Sequence, residues 1–179
     1  MPSGTTIPGA PGAPAWTIRT GRLLLAPVGW ADREALRTLK ADPGSFALML
    51  GGVRTTAQAD AELAEDLRFW AARGVGMWTV RRPCQAPLLG ITGLHERPDG
   101  LGLGLRFAFW PAVRGQGLAR EAAGAALRFA HDRAGLRRVI AVARESNLGS
   151  RLVLGAIGMR ECGEFQRDGE RVLIYESVA

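Results

Sequence analysis

The segment Arg114-Gly115-Gln116-Gly117-Leu118-Ala119 has the residue types and spacing that bind a phosphate group through the backbone. It joins an apolar run over residues 103–109, typical of a strand, to a helical pattern over residues 118–133. Glycines at the start of a helix let a ligand approach closely, and the first N–H groups of a helix have no intrahelical acceptor. The helix dipole, Arg114 and Arg120 add positive charge at that end. The segment therefore predicts a pyrophosphate-binding turn.

On these residues alone, an ordinary turn between a strand and a helix is an open alternative. Two familiar phosphate-binding motifs do not account for the segment. The chain has no Gly-x-x-x-x-Gly-Lys-Ser/Thr sequence, and Gly100-Leu-Gly102-Leu-Gly104 lacks the third glycine of the dinucleotide fingerprint and opens no helix. The sequence therefore favours a ligand other than a nucleoside triphosphate or a nicotinamide cofactor.

Further motifs occur in the order that is found in one enzyme family. In chain order they are Thr20-Gly21-Arg22-Leu23-Leu24-Leu25, Gly74-x-Gly76-x-Trp78, Gly90-x-x-Gly93-Leu94, Arg114-x-x-Gly117-x-Ala119, Asn147-x-x-Ser150 and Gly158-Met159. Each motif is short, but the ordered set is specific. Over residues 16–179 the chain resembles the GNAT N-acetyltransferases, and within them the Rim-type branch, which includes ribosomal-protein N-terminal acetyltransferases.

The resemblance implies acetyl-CoA as a co-substrate, with its pantetheine arm in a gap between two splayed strands. The residues implied in cofactor binding are Phe107, Ala108, Phe109, Arg114, Gly115, Gln116, Gly117, Leu118, Ala119 and Asn147. The first three would bind the pantetheine amides through their backbone, and the loop would wrap the pyrophosphate. Asn147 has an alternative role, because Asn at the start of a helix commonly caps it.

Acetyl transfer to an amine needs a neutral amine, a stabilised oxyanion and a proton for the leaving thiolate. Gly104 stands where the family often has a Glu, and Arg106 where it often has a small residue. His95 and Glu96, at the end of the preceding strand, are therefore the candidate bases by position. The alternatives are a histidine in a turn and a solvated ion pair of Glu96 with Arg97.

The candidate for the proton donor follows from a missing tyrosine. Many GNAT enzymes supply this proton from a tyrosine in the fourth helix, but the only tyrosine in this chain is Tyr175. Ser150 or a water molecule is then the remaining candidate.

Composition predicts one soluble domain, since 47% of the 179 residues are hydrophobic and 22% are charged. No apolar run is long enough to cross a bilayer, so no membrane partner is expected. Residues 1–15 lack the regions of a signal peptide, and their Pro and Gly content predicts a flexible tail before a single domain at residues 16–179. Cys84 and Cys162 have no metal-ligand spacing, so the sequence predicts no metal and a cytoplasmic location.

Hydrophobic periodicity predicts how these residues are positioned. The expected strands lie near residues 22–28, 75–81, 88–95, 101–109 and 139–143, with a hairpin at Asp168-Gly169. Helices are expected at residues 31–40, after the capping box Thr55-x-x-Gln58, and at residues 118–133 and 147–157. This order predicts an α/β (α+β) GNAT fold with a mixed sheet of about seven strands and about four helices.

Three functions are consistent with these features. The first is an acetyl-CoA-dependent N-acetyltransferase that acts on a primary amine, either a protein N-terminus or a small molecule, by direct attack in a ternary complex. The second is a catalytically weak acyl-CoA-binding regulatory module. The third is an RNA- or ribosome-binding protein, suggested by the net charge of +6 and the arginines between residues 114 and 144. Nucleic acid is disfavoured as the sole partner because basic residues do not alternate with aromatic ones, and a homodimer is compatible with the sequence.

Overall fold

An eight-stranded sheet forms the centre of the computed structural model, which describes residues 14–179. The strands are β1 (Ile18–Arg19), β2 (Leu24–Pro27), β3 (Met77–Arg81), β4 (Gly90–Glu96), β5 (Leu103–Phe109), β6 (Arg138–Arg144), β7 (Arg160–Arg167) and β8 (Glu170–Val178). They lie in the order β1-β2-β3-β4-β5-β6-β8-β7. The hairpin between β7 and β8 turns at Asp168 and Gly169, both with positive φ, as this dipeptide predicted.

Five α-helices pack around this sheet in the described part of the chain. They are α1 (Arg33–Ala41), α2 (Pro43–Phe46), α3 (Thr56–Arg73), α4 (Leu118–Arg128) and α5 (Leu148–Ala156), with a π-helical turn over Phe129–Arg133 after α4. The capping box that opens α3 is present in both directions between Thr55 and Gln58. Gly74 ends α3 in the left-handed conformation, with φ of 64°.

One junction in the sheet differs from all the others. Neighbouring strands are antiparallel except β5 and β6, which are parallel and pair at Gly104 and Ile140 alone. Beyond that pair the two strands separate towards their C-terminal ends, while β5 keeps a seven-residue ladder with β4 on its other side. The edge of β5 that faces β6 is therefore unpaired beyond Gly104, and the chain leads from the end of β5 through a short turn to the start of α4.

Three tryptophan side chains pack together in the core, one each from the N-terminal turn, α3 and β3. Trp70 stacks on Trp16 at 4.9 Å between ring centroids and meets Trp78 edge-on at 4.8 Å. The indole N–H of Trp70 donates to the carbonyl of Met77, and that of Trp78 donates to the carbonyl of Trp16. Trp70 and Trp78 are fully buried, so these two side chains are core residues rather than pocket residues.

The predicted fold class is confirmed, with small differences in the number of elements. The extra strand is the two-residue β1, which is too short to produce a periodic pattern. The extra helix is α2, because Asp42 both ends α1 and caps the next turn by accepting a bond from the Ser45 N–H at 2.7 Å. Of the predicted tail, residues 1–13 lie outside the described residues, and Pro14 and Ala15 belong to a 3-10 turn, Pro14–Trp16. No helix within residues 14–179 has the length and apolar character that a bilayer crossing needs.

Candidate functional site

The opening between β5 and β6 is the mouth of the main cleft, of about 700 Å³. Leu105, Arg106 and Phe107 form one wall, and residues 141–144 of β6 form the other. Helix α3 and the ends of β4 and α5 complete the enclosure. Among the predicted site residues, the cleft brings together five: His95, Glu96, Phe107, Asn147 and Ser150. Ala108 and Phe109 are buried in the core instead, so only their backbone is available to a ligand in the opening.

The segment Arg114–Ala119, called the glycine loop below, connects the end of β5 to the start of α4. Gly115 and Gly117 have φ of 76° and 73°, a conformation that favours glycine. The Arg114 guanidinium turns back and donates to the carbonyls of Gly44, at 2.5 Å, and Phe109, at 3.2 Å. Arg114 therefore braces the loop through two carbonyl groups while its guanidinium keeps its positive charge, and its part in phosphate binding stays a prediction.

The first turn of α4 has the open N-terminus that the sequence predicted. Within the described residues no side chain caps the helix at Gly117. A Cβ atom at Gly115 would meet no heavy atom of residues 14–179 within 4 Å, and one at Gly117 would meet only Arg22 Nη2, at 3.5 Å. The N–H groups of residues 115–119 also have no hydrogen-bond acceptor among residues 14–179, so they are available to an anion.

Glu121 fastens the glycine loop to the N-terminal motif around Thr20. Its carboxylate accepts bonds from the Thr20 hydroxyl at 2.5 Å, the Arg22 N–H at 2.9 Å and the Arg22 guanidinium at 2.7 Å. Arg22 also donates to the carbonyl of Gln116 at 2.8 Å. Burial opposes ionisation of Glu121, but these hydrogen bonds outweigh it and lower its pKa. Thr20 and Arg22 are thus supports of the loop, which explains why the two motifs occur together.

A second, shallower groove of about 620 Å³ begins at the glycine loop and follows α4. Gly117 and the cations Arg22, Arg120 and Arg128 line it, together with His131. Arg82 lies nearby, where its guanidinium donates to the Gln116 side chain at 3.2 Å. Positive charge is therefore concentrated in this groove, beside the glycine loop.

Asn147 and Ser150 lie together at the start of α5 and line the cleft. The Asn147 carbonyl oxygen accepts a bond from the Ser150 N–H at 3.1 Å, so the capping role is present in the structure. This bond uses the oxygen of the amide and leaves its NH₂ group for another partner. Contact of Asn147 with a cofactor is compatible with this arrangement and stays a prediction.

His95 fills the space that the glycine at position 104 leaves. A Cβ atom at Gly104 would come within 2.7 Å of the His95 Cε1 atom and 3.0 Å of the Arg97 Cγ atom. Burial, together with the positive charges of Arg106 and Arg97, lowers the pKa of His95 to about 3. His95 is consequently neutral at physiological pH and a weak proton acceptor there.

Glu96, the other predicted base, lies at the rim of the cleft. Its side chain is 65% exposed and forms a long ion pair of 3.5 Å with Arg73, not the predicted pair with Arg97. Arg97 instead pairs with Asp99 in the turn between β4 and β5. An exposed carboxylate of this kind is held loosely by its partner.

Comparison with known proteins decides the family. The family model of the GNAT acetyltransferase domain matches residues 22–160, which is more than half of the chain. This chain belongs to the GNAT acetyltransferase family. A putative acetyltransferase of the family from Bordetella pertussis is 26% identical, with a TM-score of 0.79 over 89% of this chain and 98% of that chain. An acetyltransferase from Agrobacterium tumefaciens strain C58 is also 26% identical, with a TM-score of 0.80 over 91% and 94%.

Rim-type enzymes are among the more distant structures with the same fold as this acetyltransferase. RimL, a ribosomal L7/L12 alpha-N-protein acetyltransferase solved with coenzyme A, is 17% identical, with a TM-score of 0.73 over 90% of this chain and 97% of that chain. At this identity the likeness is one of fold. The predicted GNAT family is confirmed by the family model, and the Rim-type enzymes share its fold.

The acetyltransferase cleft also contains carboxylates that were not predicted from the sequence. Glu62, Glu65 and Asp66 line it from α3. Acidic residues on an amphipathic helix ordinarily face solvent, which is why the pattern of α3 did not single them out. The sequence contained one signal, because Lys40 is the only lysine in an arginine-rich chain. In the structure Lys40 is buried, and its Nζ atom lies 2.6 Å from a carboxylate oxygen of Glu62.

Proposed function

We propose that this protein is an acetyl-CoA-dependent N-acetyltransferase that moves an acetyl group from the thioester to a primary amine by direct attack in a ternary complex. The observation that carries the proposal is the separation of β5 from β6 beside an uncapped helix start. An opened parallel pair exposes backbone groups to a ligand, and the helix start supplies N–H donors for its phosphates.

The residues at the opening fit acetyl-CoA. The β6-facing backbone edge of Phe107 and Ala108 has no strand partner beyond the pair at Gly104 and Ile140, and the amides of the pantetheine arm would bind there, next to the Phe109 carbonyl that Arg114 holds. Residues 115–119 would hold the pyrophosphate through N–H groups, and Arg120 and Arg128 lie along the adjoining groove for the remaining phosphate. The bound thioester supplies an electrophilic carbonyl carbon, and the chain's own residues orient the amine and manage its protons.

Protons must leave the amine and reach the departing sulfur. Ser150 lies in the cleft at the start of α5, where its hydroxyl is the proposed donor to the thiolate. His95 and Glu96 stay as predicted bases, with the lowered pKa of His95 and the exposure of Glu96 weighing against them. The acceptor enters past residues 48–50 and Phe69, which form the apolar side of the cleft.

The acceptor class rests on the cleft and on the named relatives. RimL acts on the N-terminus of a ribosomal protein, and a protein N-terminus is accordingly the first acceptor to test here. A small primary amine is the alternative. The cytoplasmic location and the possible homodimer remain predictions.

Calorimetric titration with acetyl-CoA tests the cofactor half of this proposal. Micromolar binding of acetyl-CoA, with weaker binding of free adenosine 3′,5′-bisphosphate, is the expected result, because the second ligand lacks the pantetheine arm. Absence of binding would overturn the proposal and favour nucleic acid, whose affinity must fall steeply with salt concentration.

A second assay tests the catalytic half of the proposal by measuring CoA release in the presence of a panel of peptide N-termini and small amines. Turnover with at least one primary amine is expected. Tight binding of acetyl-CoA without any CoA release would instead identify a regulatory acyl-CoA-binding module, the function suggested by the glycine at position 104.

A further inference from the structure

Two carboxylates lie one helical turn apart on α3 and face the same cleft, yet their surroundings differ. Glu62 is fully engaged: Lys40 Nζ lies at 2.6 Å from one of its oxygens and Arg54 Nε at 2.5 Å from the other. Arg106 approaches it at 3.9 Å. Burial alone would raise the pKa of Glu62, but these cations outweigh it and lower the pKa to about 2. Glu62 is therefore a permanent anion that holds the cations in place.

Asp66 is the free member of the pair. Within residues 14–179 its carboxylate has no hydrogen-bond donor and no ion-pair partner within 4.0 Å, although it lines the cleft. The charged groups that face it are Lys40 on α1, Arg106 on β5, and Glu62 and Glu65 on its own helix. Burial outweighs the attraction of the two cations and, with the two neighbouring carboxylates, raises the pKa of Asp66 to about 6. An unpaired carboxylate with this pKa is ionised at neutral pH and ready to accept a proton.

The residues around Gly104 leave no room for an acidic side chain at that position of β5. In this chain the place of a side chain at position 104 is filled by the imidazole of His95. A carboxylate there would have to displace that ring. Arg106, two residues further along β5, approaches Glu62 to 3.9 Å across the cleft. Its positive charge also acts on Asp66. The facing helix α3 instead brings the carboxylate of Asp66 into the cleft.

We propose that Asp66 is the general base of this acetyltransferase and binds the acceptor amine. This inference rests on the proposed function. The amine nitrogen forms a bond to the acetyl carbon, and the bond from that carbon to sulfur breaks. The nitrogen becomes positively charged on attack, and its proton passes to the Asp66 carboxylate. The sulfur leaves with the electron pair of the broken bond and takes a proton from the Ser150 hydroxyl or from water, and solvent restores the protonation of both residues.

The test compares Asp66→Asn with the control Glu161→Gln, which removes a charge from an exposed position on β7 that does not line the cleft. Both variants are titrated with acetyl-CoA and assayed with the best amine of the panel. Asp66→Asn is expected to lower kcat by about 100-fold or more while changing the acetyl-CoA affinity less than about twofold. Glu161→Gln is expected to keep kcat within about twofold, because that residue is exposed and lies outside the cleft.

The pH profile of the wild-type enzyme provides a measurement that needs no variant. With both substrates saturating, kcat should rise with pH through a limb near pH 6, since only the ionised carboxylate accepts a proton. The limb should be absent from the residual activity of Asp66→Asn. Asp66→Glu, which retains a carboxylate, should recover part of the lost rate.

Each other outcome overturns the proposal in a recognisable way. If the wild-type enzyme is active and the Asp66→Asn variant keeps both its rate and its pH limb, then Asp66 is not the base. The proposed function is unaffected by that result. The same conclusion follows if His95→Gln or Glu96→Gln removes the limb instead. A wild-type protein that binds acetyl-CoA but acetylates no amine defeats the proposed function, and the role of Asp66 with it.

Discussion

The glycine loop and the carboxylates of α3 are the two parts of the proposed site, and they are built in different ways. The loop uses backbone groups of consecutive residues, with left-handed glycines at positions 115 and 117. The α3 end uses side chains from α1, α3 and β5, which are brought together by folding: Lys40, Glu62, Asp66 and Arg106. A site of the first kind leaves a contiguous motif in the sequence, whereas one of the second kind leaves isolated charges.

The difference also appears in the electrostatics. At the loop, two charged side chains have hydrogen-bond partners: Glu121 is bound by Thr20 and Arg22, and Arg114 donates to carbonyl groups. On α3 the pairing stops at Glu62 and leaves Asp66 without a partner among residues 14–179. The comparison supports the proposal that the loop binds the cofactor and that Asp66 is the reactive group.

The largest effect is expected from Gly117→Trp at the loop. The indole would occupy the space outside the first turn of α4, so acetyl-CoA affinity should fall by at least about 100-fold in calorimetry. The matched control is Gly135→Trp, at an exposed glycine with a similar φ of 67° and open surroundings. Both variants carry the same backbone strain of about 1–2 kcal/mol. Equal loss of affinity in both, or none in Gly117→Trp, would remove the loop from the binding site.

Glu62→Gln is expected to have the largest effect on stability. It leaves Lys40 buried without an anionic partner, which should lower the free energy of unfolding by about 2–3 kcal/mol. Urea unfolding at neutral pH measures it, with Glu65→Gln as the exposed reference. Because the pKa of Glu62 is lowered, this stabilisation should be present above pH about 4.5 and lost as the pH falls towards 2. Equal stability of the two variants would show that Glu62 is not a structural anion.

Asp66→Asn should change stability in the opposite direction. Since burial raises the pKa of Asp66, ionisation costs the folded state free energy at neutral pH, and removing the charge should add about 1–2 kcal/mol. The gain should fall between pH 6 and 4, where the wild-type carboxyl becomes protonated in the folded and then in the unfolded state. A variant that is less stable than the wild type at pH 7.5 would mean that the Asp66 carboxylate has a stabilising partner.

The smallest effect concerns Asn147, where capping and cofactor binding can be separated. Asn147→Ala removes the cap of α5 and should cost about 1 kcal/mol. Asn147→Ser retains a capping oxygen and should preserve stability in thermal unfolding, but it lacks the amide NH₂ group. If that group contacts acetyl-CoA, as predicted, Asn147→Ser should lose affinity for it. Unchanged affinity in Asn147→Ser would leave capping as the only role.

Local features of the fold were predictable because they depend on neighbouring residues. The capping box of α3, its C-terminal Gly74 and the Asp168-Gly169 hairpin all have the conformations expected from the sequence. The predictions were less accurate where an element was very short, as with β1, or where one residue served two elements, as Asp42 does between α1 and α2. Such elements are fixed by their neighbours in space, which periodicity does not describe.

The sequence by itself determined the family, the order of the elements and the position of the glycine loop, because each depends on contiguous residues with defined backbone preferences. Only the tertiary structure decided the chemistry at the other end of the cleft. His95 came to lie against Gly104, Glu96 was left exposed, and Asp66 came to line the cleft without a partner among residues 14–179. The proton affinity of a side chain depends on burial and on charges that are distant in the sequence, and these are set only when the chain folds.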